Sequence, residues 1–179
     1  VLAVHTGMRQ GEILAFKWTD VDLEAGKVSV RRTLTRESGH YRLGELKTKR
    51  SRRTVKLTKA ANEALRGHLG RQMEEMDRLG DLYQDQGLVF TTDSGAPLNP
   101  SNIRNRNLRP LTRKAALPQI RFHDLRHTCA TLLLSRNVHP KIVQEMLGHA
   151  TVAITLDTYS HVLPGMGDQA AKEMENALS

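Results

Sequence analysis

One cysteine, Cys129, stands among 179 residues. No intrachain disulfide is possible, and a reducing compartment is expected. Cys129 sits among Ala130, Leu132 and Leu133 on a predicted buried helix, where a packed thiol is expected rather than a reactive one. No apolar run approaches the roughly 18 residues of a membrane span, and no signal-peptide pattern is visible. No internal repeat or low-complexity tract stands out. The acidic residues are scattered and form no evident metal cluster. Tyrosines number only three, Tyr41, Tyr83 and Tyr159.

What is present is basic. Lysine and arginine total 27 against 19 acids, a net charge of +8. That excess suggests a polyanionic partner, most simply nucleic acid. At 26% charged and 39% hydrophobic residues, the composition fits one soluble globular domain. The first residue is Val1, and Val1 to His5 reads as the end of a helix, so a preceding N-terminal part is expected outside this chain.

Periodicity predicts a mainly α chain with a small antiparallel three-stranded β-sheet, an α+β class. A helix is predicted over 9–18. A half-buried strand follows over 27–35, where Val28, Val30 and Thr33 alternate with polar residues. Segments 41–48 and 52–57 complete the sheet. Thr58 is placed to cap a long helix reaching about Leu79, with Ala61, Ala64 or Leu65, Leu69, Met73 and Met76 as its apolar positions. Leu88-Val89-Phe90 reads as a short buried segment, and residues 93–97 as a turn. Helices are predicted over 101–115, 123–135, from Pro140 to a stop at Gly148, and over 151–159. Residues 163–167 read as a linker before a last helix over 168–178, where Ala171, Met174 and Leu178 form one apolar stripe.

Several local segments stand out. Residues 6–12 read TGMRQGE, residues 123–128 read HDLRHT, residues 147–149 read LGH, and residues 157–161 read DTYSH. His123 and Arg126 are three apart and share one helix face. Arginine forks match phosphate oxygens bidentately, and a tyrosine offers a phenol nucleophile. Cleaving a phosphodiester builds charge on nonbridging oxygens, and two guanidiniums are one way to stabilise it. His123 and His127 also have the four-residue spacing of a zinc pair. Asp124 stands where a zinc protease has glutamate, however, and no third ligand is apparent.

Taken in order, these segments resemble the tyrosine recombinase family, also called phage integrases, from about Val1 to Val162. The resemblance implies the tyrosine recombinase catalytic-domain fold over 1–162, with 163–179 as linker and C-terminal helix docking in cis or in trans. It implies that residues spread from Arg9 to Tyr159 meet at one site. Arg9 and Arg126 would clamp the phosphate, His123 would touch it or accept a proton, and His149 would donate a hydrogen bond to it. Tyr159 would be the nucleophile, its pKa lowered by the guanidiniums. Lys47 would be the general acid, with Lys49 in reserve on the same hairpin. Glu12 would orient an arginine or be merely solvated. Arg50, Arg52 and Arg53 would touch DNA backbone, and His127 would pack behind the site. The activity implied is site-specific recombination through a 3′-phosphotyrosine, without metal or other cofactor. Its partner would be double-stranded DNA, with a homo-oligomer, a tetramer in synapsis, and no membrane. The expected place is the cytoplasm of a prokaryote, at the nucleoid. A type IB topoisomerase and a non-catalytic DNA-binding module are the rival readings.

Overall fold

The structure is a computed structural model that describes residues 1–37, 40–46, 51–160 and 166–178. Short helices open the chain: α1 over Leu2–Thr6 and α2 over Gln10–Leu14. The helix predicted over 9–18 is therefore only one turn and a half, and a 3₁₀ turn at Trp18–Asp20 follows it. Strands β1 (Val21–Asp22), β2 (Lys27–Val30), β3 (Arg32–Glu37), β4 (His40–Glu45) and β5 (Arg53–Lys56) come next.

The predicted single strand over 27–35 is divided at Arg31. β2 lies between β1 and β5 in a three-stranded antiparallel sheet, while β3 and β4 form a separate hairpin. Alternation explains the first sheet: Val28 faces Val55 across the ladder, and Val28, Val30 and Val55 are all buried. At the break, the Leu46 N–H donates to the Arg31 carbonyl.

Helix α3 spans Lys59–Leu79, and Thr58 caps it by accepting from the Ala61 N–H at 3.2 Å. Ala61 and Leu65 are buried as expected, but Met73 is 55% exposed and Gln72 takes the inner position. Its side chain accepts from the Trp18 indole and donates to the Leu88 carbonyl and the Tyr83 hydroxyl. Hydrogen bonding, not hydrophobicity, selects the residue there. Leu88 and Val89 are buried beside it.

From Pro100 on, the described regular elements are all helices. Helix α4 (Pro100–Asn102) runs through a π-helical segment, Ile103–Leu108, into α5 (Arg109–Lys114). Helices α6 (Asp124–Ser135), α7 (Pro140–Leu147) and α8 (Val152–Tyr159) follow, and α9 covers Met166–Leu178. A core of Leu2, Met8, Phe16, Val28, Val55 and Leu65 joins the sheet to α1, α2 and α3. A second cluster of Ala130, Leu134, Val143, Leu147 and Tyr159 binds α6, α7 and α8 together. Met174 and Leu178 on α9 are exposed. Among the described residues no helix is long and apolar enough to cross a membrane.

Two glycines set how these layers approach the site. Gly7 ends α1 at φ 61°, and a Cβ there would collide with the Leu147 side chain. Gly148 ends α7 at φ 70° and lies against Arg53, whose Nη1 would be 3.0 Å from a Cβ. Both need a left-handed residue without a side chain.

Candidate active site

Four of the six residues singled out in the sequence line one cavity of about 630 Å³: Arg9, His123, Arg126 and His149, with Ser51, Gly148, Ala150 and Ile154. Each is placed by an element end. Arg9 is the N-cap of α2, His123 the N-cap of α6, and Arg126 lies in the first turn of α6. His149 follows the Gly148 stop of α7.

Arg126 is the deepest of them, only 2% exposed. Its Nη1 donates to the Gly7 carbonyl at 2.7 Å, while its Nη2 is buried without a hydrogen-bond partner among the described residues. Burial, then the positive charges of Arg9 and Arg53, lower its pKa to about 10, so it is a cation at neutral pH. A buried, unpaired guanidinium N–H is costly unless something accepts from it.

Arg9 is held by Glu12. The Arg9 Nη1 donates to Glu12 Oε1 at 2.9 Å, and its backbone N–H donates to Oε2 at 2.8 Å. Glu12 is 1% exposed. Burial pushes its carboxyl upward, but hydrogen bonds and charge from Arg53 and Arg9 outweigh that and hold it below the ordinary value. Glu12 is thus a buried ion-pair partner rather than a solvated acid.

The His149 ring is fixed by its Nδ1, which is 2.9 Å from Thr155 Oγ1. Its backbone exchanges hydrogen bonds with Gln144: its N–H donates to the Gln144 carbonyl, and the Gln144 amide donates to the His149 carbonyl. Burial, then Arg126, Arg9 and Arg53, push the His149 pKa down to about 4. Burial and the neighbouring cations also lower His123. Near pH 7 both rings are then neutral and offer hydrogen bonds without adding charge.

This has a measurable consequence. Between pH 6.5 and about 4 the unfolded chain binds a proton that folded His149 refuses. Folding stability is expected to fall as pH drops through that window. In His149→Gln the decline should be shallower, as read from melting temperatures at pH 4.5, 5.5 and 7. Parallel pH curves for the two proteins would remove His149 as the cause.

Tyr159 sits one layer behind the cavity, 3% exposed. Its hydroxyl is 2.7 Å from His127 Nδ1, so the histidine bonded to it is His127, not His123. The His123 and His127 rings meet edge to face at 4.8 Å. Burial raises the Tyr159 pKa, and the pull of Arg126 does not reverse it. The expected lowering by guanidiniums is therefore corrected: in this arrangement desolvation outweighs them. Among the described residues, no group of three histidine, cysteine or acidic side chains could hold a metal.

The family model for phage integrases matches residues 1–165. The chain belongs to the phage integrase family. It is 36% identical over 98% of its length to a XerC-like tyrosine recombinase of Caldanaerobacter subterraneus subsp. tengcongensis, and covers 48% of that protein. It is 29% identical over 99% of its length to the ICEBs1 integrase of Bacillus subtilis, again covering 48%. The chain thus spans about half the length of the curated relatives it matches. In fold it is similar to the Tn1549 transposon integrase in complex with circular intermediate DNA, with TM-score 0.76 at 22% identity, over 98% of this chain and 56% of that one. It also resembles the XerA recombinase, with TM-score 0.69 at 26% identity, over 98% and 55%. The mainly α fold with small antiparallel sheets is that of tyrosine recombinase catalytic domains.

Lys47, Lys49 and Arg50 lie outside the described residues. Arg52 is exposed and pairs with Glu45 at 2.5 Å. Arg53 was expected on DNA backbone, yet its side chain is 6% exposed and paired with Glu12. Sequence reading also missed the Tyr159 contact of His127, since a helix histidine facing inward carries no distinguishing local signal.

Proposed function

We propose that this chain is the catalytic domain of a site-specific tyrosine recombinase, cleaving and rejoining double-stranded DNA through a 3′-phosphotyrosine. One observation carries the reading: a buried Arg126 N–H without a partner among the described residues, beside a cavity shared with Arg9, His123 and His149. That is a ready-made seat for a phosphate with developing charge. Arg9 and Arg126 would hold nonbridging oxygens, with His149 and His123 as hydrogen-bond partners. Tyr159 would attack phosphorus, its proton passing to a histidine. The 5′-oxygen would leave with a proton from Lys47. Because the phosphotyrosine ester keeps the bond's energy, a new 5′-hydroxyl can displace the tyrosine without a cofactor.

A nicked duplex that loses a short 5′-hydroxyl fragment on cleavage tests this directly. A covalent protein–DNA adduct should accumulate. A protein that binds the duplex but never forms the adduct would leave only the DNA-binding module.

Lys47 has its own chemical test. Lys47→Ala should be slow on ordinary DNA and recover when the leaving 5′-oxygen is replaced by sulfur, since a thiolate needs no proton on departure. Recovery by the Lys49 variant instead would move the role two residues on.

Oligomeric assembly on DNA belongs to the same proposal, with four protomers in synapsis. The exposed Met174 and Leu178 of α9 favour docking on a neighbouring protomer over docking at home. Truncation before α9 is expected to leave single-site cleavage within about tenfold and to weaken cooperative occupancy of paired sites, since a helix this short needs a docking surface. Unchanged cooperativity, measured by gel shift, would count against docking in trans.

A further inference from the structure

Arg53 is spent inside the protein. Its Nε donates to the Met146 carbonyl at 2.6 Å. Nη1 donates to the Ser51 carbonyl and to Glu12 Oε1, both at 3.2 Å, and Nη2 donates to Glu12 Oε2 at 2.8 Å. Each Glu12 oxygen thereby accepts one bond from Arg53 and one from Arg9. The two arginines share a single buried carboxylate. Glu12 offsets one of the two positive charges.

Three chain segments converge on this guanidinium. The N-terminus of α2 brings Arg9 through Glu12. The chain entering β5 brings Ser51. The end of α7 brings Met146 and then Gly148, packed flat on the Arg53 side chain immediately before His149. Only a planar fork reaches acceptors in three directions at once; a lysine is a point donor.

We propose that Arg53 is a positioning residue of the phosphate site. Through Glu12 it sets the direction of the Arg9 guanidinium, and through the end of α7 it sets the place of His149. It does not touch DNA. The inference rests on the recombinase reading above.

Its signature is a split between affinity and cleavage. For a phosphate contact, loss of the charge flattens the slope of log affinity against log salt by about 0.9. Arg53→Met, measured in a Tyr159→Phe background, is expected to keep the wild-type slope. With Tyr159 intact, Arg53→Met should slow adduct formation on the nicked duplex at least ~100-fold, the range seen when a charge-stabilising donor is misplaced. The Arg9→Ala/Arg53→Met pair should be slower than Arg9→Ala by clearly less than the factor that Arg53→Met costs alone, because the part that passes through Arg9 is already lost and only the part that passes through His149 remains.

Arg53→Lys guards against a folding failure. It keeps a charge beside Glu12 and should melt as a cooperative unit, yet stay at least ~10-fold slow. A flattened slope, multiplying effects in the pair, or full cleavage by Arg53→Lys would each overturn the proposal. A wild-type chain that forms no adduct strikes the recombinase reading instead. The positioning claim is then decided by the Arg9 Nε–H resonance, expected to shift in Arg53→Lys and fatal to the claim if unmoved.

Discussion

Tyr159→Phe is expected to form no covalent adduct on a nicked duplex while binding it with an affinity within about twofold of wild type. Only one oxygen is removed. The ring stays in the cluster with Leu134, Val143 and Leu147, so the α6–α7–α8 packing that carries His123, Arg126 and His149 is preserved. The lost hydrogen bond to His127 should cost about 1 kcal/mol of stability, the usual net value of one such bond. Half-buried His127 has access to water in compensation. The effect on chemistry is total because neither other tyrosine can substitute. Tyr41 lies on β4, and Tyr83 is bonded to Gln72 and Thr91 beside α3. An adduct that persists in Tyr159→Phe would assign the nucleophile elsewhere. Mass spectrometry of the trapped peptide would say where.

With Tyr159 as the proposed nucleophile, the same geometry implies a step before attack. In this arrangement the Tyr159 hydroxyl is buried against His127 with a raised pKa, and it does not line the cavity that holds the two arginines. For attack, the end of α8 must bring the hydroxyl to the phosphate. Once there, the charges of Arg9 and Arg126 act on it with less burial opposing them, and the direction of its pKa shift would reverse.

Local signals in the sequence were read well where the physics is local. Thr58 caps α3 because its hydroxyl meets the Ala61 N–H three residues on, and Gly148 ends α7 because only a left-handed residue closes it. His123 and Arg126 face one cavity because residues three apart on a helix must. What was not legible depends on partners distant in sequence. Arg53 looks like its exposed neighbour Arg52, and only the fold brings Glu12 and Met146 against it. Likewise Gln72 looks like a surface residue until Trp18, Tyr83 and Leu88 surround it. The division of the strand at Arg31 is marked in the sequence only by a slip in the alternation, Arg32 standing where an apolar residue is due, and only the fold shows that the pairing partner changes from β5 to β4.

Arg126→Met is expected to lower adduct formation by on the order of 10²–10³, comparable to removing one preorganised donor from a charge-stabilising site. Yet its effect on folding should be small or favourable. Arg126 is a large cation, 2% exposed, with one amino group bonded to Gly7 and the other without an acceptor among the described residues. Replacing a buried charge by an apolar side chain of similar length is often neutral or stabilising. The Gly7 carbonyl loses its donor, at a cost of about 1–3 kcal/mol, which offsets part of that gain. Activity and stability therefore separate at this residue, because its charge is placed for the proposed phosphate contact and adds little to folding. Arg126→Lys should recover little, because an ammonium cannot hold the Gly7 carbonyl and fork a phosphate together. Cleavage by the wild-type protein should be unchanged in EDTA, and magnesium or zinc should not rescue Arg126→Met. Denaturant midpoints and adduct yields measured on the same preparations decide the matter. A variant that cleaves within tenfold of wild type, or one that a metal restores, would take Arg126 out of the phosphate seat.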